Sequence, residues 1–389
     1  MYTSVLFLLL SFIVSIANAV RPLSLNQNVL AFNSDFEGLQ DIYVNDLSLL
    51  ELHKSLIEIE SISNAETNVA LYLKKYLENT GLTVELQEIH DEYEKRYNVY
   101  AYLGKTRNTK VLLTSHIDTV PPYLTYNIDG TKIYGRGSCD AKGSVATQII
   151  TFLSLVDRGL LKEGDVSLLF VVGEEVSGVG MKLAEDLHAS WDIGIFGEPT
   201  ELKLGRGHKG IIVFKLIANG KASHSGYPEL GVSASEILVP VLNSLLNLKL
   251  PTNDLLGPST LNIGEFSGGV AANVIPANAE ALVSIRVATD ADEVLQSVKD
   301  LIKDVPNLEF ELHQKTSPQY LDFDIDDFET IALAYGTDIP NLTVELKKRY
   351  LFGPGSIHVA HSDHEFIENS DLIQAVKDYE RIIKYALTN

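Results

Sequence analysis

The 389-residue chain has a single cysteine, Cys139, a single tryptophan and only two methionines. One cysteine cannot close an internal disulfide, so no disulfide framework organises the fold. Basic residues are in deficit, with 31 Lys+Arg against 52 Asp+Glu and a formal net charge of −21. That deficit excludes a polyanion-binding role, because nucleic-acid affinity rests on Lys and Arg neutralising phosphates. Long apolar runs are missing too: the most extended, residues 5–16 (VLFLLLSFIVSI), falls short of the ~18 residues that a membrane span needs. No phosphate-binding loop is present, since the glycine-rich stretch 134–143 (YGRGSCDAKG) fits neither G-x-G-x-x-G nor G-x-x-x-x-G-K-[ST]. What is present is an ordinary globular mixture, 45% hydrophobic and 21% charged, on a chain longer than the roughly 250–300 residues at which single cores stop growing. Two domains are therefore expected.

Residues 5–16 precede Ala17-Asn18-Ala19, the small-x-small pattern of a signal-peptidase site. Residues 1–19 are read as a secretory signal, although the n-region carries only the α-amino charge; a buried N-terminal helix is the alternative. Export fits the acidic, solubilising surface and a sequon at Asn341-Leu342-Thr343 that could accept a glycan. From Leu47 onward, helical periods alternate with short β-branched runs, including LTVELQEI, VLLTSH, VSLLFVVG and DIGIF. This order predicts an α/β layer structure, with the near-continuous apolar runs buried on both faces. Between residues 207 and 317 the order becomes β-α-β-β-α-β, the ferredoxin-like split unit. Residues 20–206 and 318–389 are accordingly assigned to one domain and 207–317 to an inserted second one.

Four acidic elements follow apolar strands or a glycine-rich turn. His116-Ile117-Asp118 ends the run VLLTSH, and i, i+2 spacing puts its His and Asp on one face. Such a carboxylate orients a metal-ligating imidazole. Asp140 sits in the turn before a helix, where N-capping is the competing role. Glu174 and Glu175 follow VSLLFVVG pointing in opposite directions, so that one acid can bind metal while the other reaches a water. Glu198 follows DIGIF. Solvated loops are the alternative for each element singly, yet the set together indicates a metal cluster of carboxylates and imidazole. Such a donor set suits zinc, and two metals sharing a carboxylate form a hydrolytic centre.

The segments SHIDTVP, YGRGSCDAKG, GEE, GEPT, ASHSGYPELGVSA and GPGSIHVAHSDHEFIE occur in that order. On them the chain, from about residue 47 to its end, resembles the two-zinc amidohydrolases and exopeptidases that include acetylornithine deacetylase, succinyl-diaminopimelate desuccinylase, aminoacylase and the glutamate-releasing carboxypeptidase. The resemblance implies a zinc-exopeptidase-like α/β catalytic domain with a mixed central sheet, plus an inserted α+β ferredoxin-like domain acting as lid or dimerisation unit. It implies that His116 and Glu198 hold one zinc, Glu175 and His361 the other, and that Asp140 bridges the two. Asp118 would orient His116, and Glu174 would be the general base. His358, His361 and His364 are spaced by three, and the family pattern A-H-x-x-x-E selects His361 through Glu365. His224 would stabilise the oxyanion, in some members across a dimer. Asn273 and Arg286 would face the substrate, the guanidinium suiting a carboxylate, and Gly355 would offer its backbone to it.

The expected activity is amide hydrolysis by a secreted carboxypeptidase with two zinc ions per subunit. The alternative within the class is an N-acyl amino acid deacylase of the acetylornithine deacetylase or aminoacylase type. Export favours the peptidase, because a biosynthetic deacylation has little use outside the cytosol. A non-catalytic binding protein is the reading from a different class; it should have lost a ligand or the base, and none is missing. Expected partners are a peptide or N-acyl amino acid substrate and a second copy of the chain at the insert's strand edges, with no nucleic acid and no membrane.

Overall fold

The computed structural model of the chain describes residues 44–90 and 95–388; the expected signal, residues 1–19, lies outside them. Its first layer is a six-stranded mixed sheet. The strands are β1 (Thr83–Ile89), β2 (Arg96–Tyr102), β3 (Thr109–His116), β4 (Val166–Val171), β5 (Trp191–Phe196) and, numbered after four strands of the second layer, β10 (Lys348–Leu351). Their order is β1-β2-β4-β3-β5-β10. The first two pairings are antiparallel, and β4, β3, β5 and β10 run parallel to one another.

Every residue of β4 is buried, as its unbroken apolar run requires of a strand covered on both sides. Helix α1 (Val44–Glu58) packs on α3 (Lys142–Asp157), and α3 packs on α6 (Asn369–Thr388). α3 is buried almost all round from Lys142 to Phe152, as a helix apolar on every face must be. Helix α2 (Thr67–Asn79) lies against β1 and β2. A further cluster, including Leu112, Leu169, Trp191 and Leu351, is completed by Met181, Leu187, Leu333 and Ile339 from the connecting segments.

The second layer is a four-stranded antiparallel sheet of β6 (Gly210–Asn219), β7 (Thr260–Gly268), β8 (Asn278–Val287) and β9 (Leu308–Thr316), in the order β7-β8-β6-β9. With α4 (Ala234–Leu246) and α5 (Ala291–Ile302) it forms the expected β-α-β-β-α-β unit around its own apolar core. Both helices start at a side-chain cap. Ser233 caps α4 by accepting from Glu236 N, the S-x-x-E signature. Asp290 caps α5 by accepting from Asp292 N and Glu293 N. β6 alternates between buried and half-buried residues, so one sheet face carries the helices and the other stays open. Among the described residues no helix is long and apolar enough to cross a membrane.

Candidate active site

Four adjacent parallel strands end at the same edge of the first sheet, the place where open α/β sheets form their sites. His116 is the last residue of β3. Glu174 and Glu175 follow β4 after Gly173, whose φ of +73° turns the chain in a region that favours glycine. Glu198 follows β5, and the loop after β10 carries His361. Asp140 enters from the turn before α3, and its peptide bond to Ala141 is cis.

These residues converge. His116 Nε2 lies 3.1 Å from Asp140 Oδ1 and 3.9 Å from Glu198 Oε1. His361 Nε2 lies 3.3 Å from the other Asp140 oxygen, Oδ2, and 3.1 Å from Glu175 Oε2. The donor atoms of His116, Asp140 and Glu198 all fall within 4.8 Å of one another, as do those of Asp140, Glu175 and His361. Asp140 thus belongs to both groups and turns one oxygen to each histidine. Of the three histidines at i, i+3 spacing, only His361 joins the cluster; His358 and His364 are exposed, and His364 Nδ1 lies 2.7 Å from Asp363 Oδ1.

The electrostatics fit cations at this point. Burial pushes Glu174 and Glu198 well above the usual carboxylate range, and each is raised further by the surrounding acids while His116 opposes. Glu175 is raised by burial and by Asp140. Burial disfavours the charged form of His116, but the Asp118 and Asp140 carboxylates outweigh it and hold its pKa well above normal. Hydrogen bonds to Asp140 and Glu175 lift His361 to about 10. Asp140 is held low because the two histidines outweigh its burial. Four acids, Asp140, Glu174, Glu175 and Glu198, against two imidazoles form a crowded anionic site, and divalent ions relieve such crowding. The mixed carboxylate and imidazole donors match zinc or a related metal.

Surrounding groups fix these side chains. His116 Nδ1 is 3.0 Å from the Asp118 carbonyl oxygen and 3.6 Å from its Oδ1, so the shorter contact is to the main chain, with the carboxylate expected from the sequence beside the ring at ion-pair distance. That carboxylate also accepts from Glu174 N at 3.0 Å, Glu175 N at 3.2 Å and Ser63 Oγ at 2.8 Å. It therefore holds the Glu174-Glu175 turn. Glu365 was a spacing marker in the sequence and has a larger part in the structure. Its Oε1 accepts from Cys139 N and Asp140 N at 3.1 Å, and its Oε2 pairs with buried Arg136 at 2.8 Å. Lys142, buried at the start of α3, donates to the Leu56 and Ile59 carbonyls at the end of α1; burial lowers its pKa to about 7.

A cleft of about 720 Å³ joins the cluster to the second layer, with Glu174, Glu198 and His361 on one wall and Arg286, His313 and Lys315 on the other. Arg286 lies in that cleft as expected. His224 and Asn273 do not: the exposed His224 pairs with Val274, and Asn273 O accepts from Ser225 N, at a loop end of the second layer outside the cleft lining. Gly355 has φ +79° and sits where a Cβ would lie 2.6 Å from Cys139 Sγ; its carbonyl accepts from Glu201 N, so that oxygen is not offered to a substrate. Asn341 lines the cleft, and its Nδ2, the atom a glycan would occupy, donates to Asp338 Oδ1 at 2.8 Å. Sequence reasoning gave no role to His208, although the segment His208-Lys209-Gly210 is one that acetylornithine deacetylase shares, nor to Tyr335; both also line the cleft. Burial drops the His208 pKa to about 4, and its Nε2 lies 3.0 Å from Thr337 Oγ1.

Residues 206–308 match the model of a peptidase dimerisation domain. The chain is 54% identical over 341 residues to an M20 peptidase domain-containing protein of Schizosaccharomyces pombe, covering 87% of this chain and 85% of that one. It is 42% identical to a probable carboxypeptidase of Aspergillus oryzae, covering 88% and 91%. Its fold matches that of a tripeptidase from Staphylococcus aureus at a TM-score of 0.75 and 21% identity, over 88% of this chain and 99% of that one.

Proposed function

The chain belongs to the M20 peptidase family, and on that premise we propose that it is a carboxypeptidase hydrolysing the C-terminal amide bond of peptides with two zinc ions. The observation that carries the proposal is Asp140, which presents one oxygen to His116 and the other to His361. His116 and Glu198 would hold one ion, Glu175 and His361 the other, with Asp140 shared. When bound, the ions supply Lewis acidity and an acidified water.

The remaining work falls to side chains. Glu174, held by Asp118 through its backbone amide, takes the proton of the attacking water and returns it to the departing amine. Arg286, on the opposite wall of the cleft, suits the substrate's terminal carboxylate. His224 stands outside the cleft of its own chain, so its role as oxyanion donor requires a second copy of the chain, joined through the second layer. Residues 1–19 would direct the chain to the secretory pathway, where an exopeptidase scavenges peptides.

The test is a chelator-controlled assay of zinc-supplied protein that compares amino-acid release from an N-blocked dipeptide and from an N-acetyl amino acid. Faster metal-dependent release from the dipeptide is expected. Preference for the acetyl substrate would make the protein a deacylase. A reporter fused after residue 19 should appear in the medium, and its retention in the cytosol would overturn the secretion reading.

A further inference from the structure

Beside the cluster, sharing Glu198 and Thr337 with the cleft lining, lies a second and much smaller cavity of about 10 Å³. That volume is about what a single water needs. Its walls include His116 and Glu198 together with Thr114 and Asp338. Thr114 is two residues before His116 on β3, so their side chains share a face of the sheet. Its Oγ1 is buried without a hydrogen-bond partner, and so is Oδ2 of Asp338. The Asp338 side chain is otherwise held: Oδ1 accepts from Asn341 Nδ2 at 2.8 Å. Its neighbour Thr337 is tied to His208 Nε2 at 3.0 Å and to Ile339 N at 3.2 Å.

A buried carboxylate oxygen and a buried hydroxyl that both lack partners are costly, and such groups are normally satisfied by protein or by an ordered water. Both residues line the small cavity, whose volume is about that of one water. We propose that Asp338 and Thr114 bind one water in this cavity, and that Asp338, through it, is a positioning residue for the His116–Glu198 half of the metal centre. The inference rests on the metal reading above. The water accepts from the Thr114 hydroxyl and donates to Asp338 Oδ2, which leaves its second proton for Glu198 on the same wall. The polar chain then runs from Asn341 in the cleft, through Asp338 and the water, to a carboxylate that would hold the ion. Outer partners of this kind fix the orientation of a ligand, and their loss lowers metal affinity by about 10–100-fold.

The experiment is a chelator-competition titration of zinc on the full protein, for wild type, Thr114→Val, Asp338→Asn and the double variant, with a melting curve of each metal-free protein. Thr114→Val keeps the shape of the side chain and the charge of Asp338, removing only the hydroxyl. The expected result is a loss of affinity of about 10–100-fold for one of two ions in each single variant, and a double variant no weaker than the worse single. The other ion should stay at wild-type affinity and the Thr114→Val melt should be unchanged, neither of which a general loosening of the fold would produce. Should Asp338→Asn fail to fold, Thr114→Val decides alone. Wild-type affinity in Thr114→Val, or losses that simply add, would overturn the inference and leave the metal reading standing. Wild-type protein that binds no zinc would overturn both.

Discussion

The two halves of the proposed metal centre meet at Asp140 and are built by different means. In the first, His116 has a side chain 1% exposed and comes from a central strand of the sheet. In the second, the His361 side chain is 51% exposed and comes from a loop, at a residue with φ +61°. The strand of His116 is paired on both sides, and His116 itself pairs with Val171 of β4, which fixes where it points. The His361 loop has no such support and is tied to the Asp140 turn by Glu365, four residues on. The comparison teaches that one half is preorganised by the fold and the other by a few side-chain bonds, so the second should exchange its ion more readily.

The largest effect is expected where the halves meet over the attacking water. Glu174→Gln should lower turnover by about 10²–10⁴-fold while both ions stay bound, checked by steady-state kinetics alongside metal analysis. Full activity would remove Glu174 from the role of base. Next comes the contrast itself: His361→Ala should lose one ion and keep the other, whereas His116→Ala should weaken both, because it removes a buried ligand of one ion and the contact that orients Asp140, the carboxylate shared with the other. Equal stoichiometry in the two variants, read by elemental analysis after dialysis, would break the comparison. A smaller effect is predicted for Glu365→Gln, which removes the charge paired with Arg136; zinc affinity should fall by about 10–100-fold, in the His361 half above all.

The smallest effect is one of pH on the metal-free protein. His361 is lifted from 6.5 to about 10 by Asp140 and Glu175, so its imidazolium stabilises the folded state fully below about 6.5, and that contribution fades as pH rises through about 10. Thermal melts of wild type and His361→Ala, both chelator-treated, should therefore converge as pH climbs across this window. A constant gap would contradict the raised pKa.

Much of the architecture was legible because apolar period and turn chemistry agreed. VLLTSH and VSLLFVVG became buried parallel strands, and the β-α-β-β-α-β order of the insert appeared as written. The convergence of His116, Asp140, Glu175, Glu198 and His361 could be anticipated because strand ends of a parallel sheet meet at one edge. What was not legible depended on contacts between distant segments. The Asp118 carboxylate holds the Glu174-Glu175 turn as well as standing beside the His116 ring, a second task its i, i+2 spacing did not announce. Glu365 and Asp338 act across long stretches of chain on groups that no spacing rule connects to them. His224 and Asn273 lie on two paired connecting segments of the insert, outside the cleft lining of their own chain, a placement that their motif match did not reveal.

The most direct test of the shared-carboxylate centre is anomalous diffraction from crystals of zinc-loaded protein. Two ions are predicted, one against His116 and Glu198 and one against Glu175 and His361, with Asp140 bound to both and the His361 ion at the lower occupancy after brief chelation. A single ion, or two ions that do not share Asp140, would contradict the account.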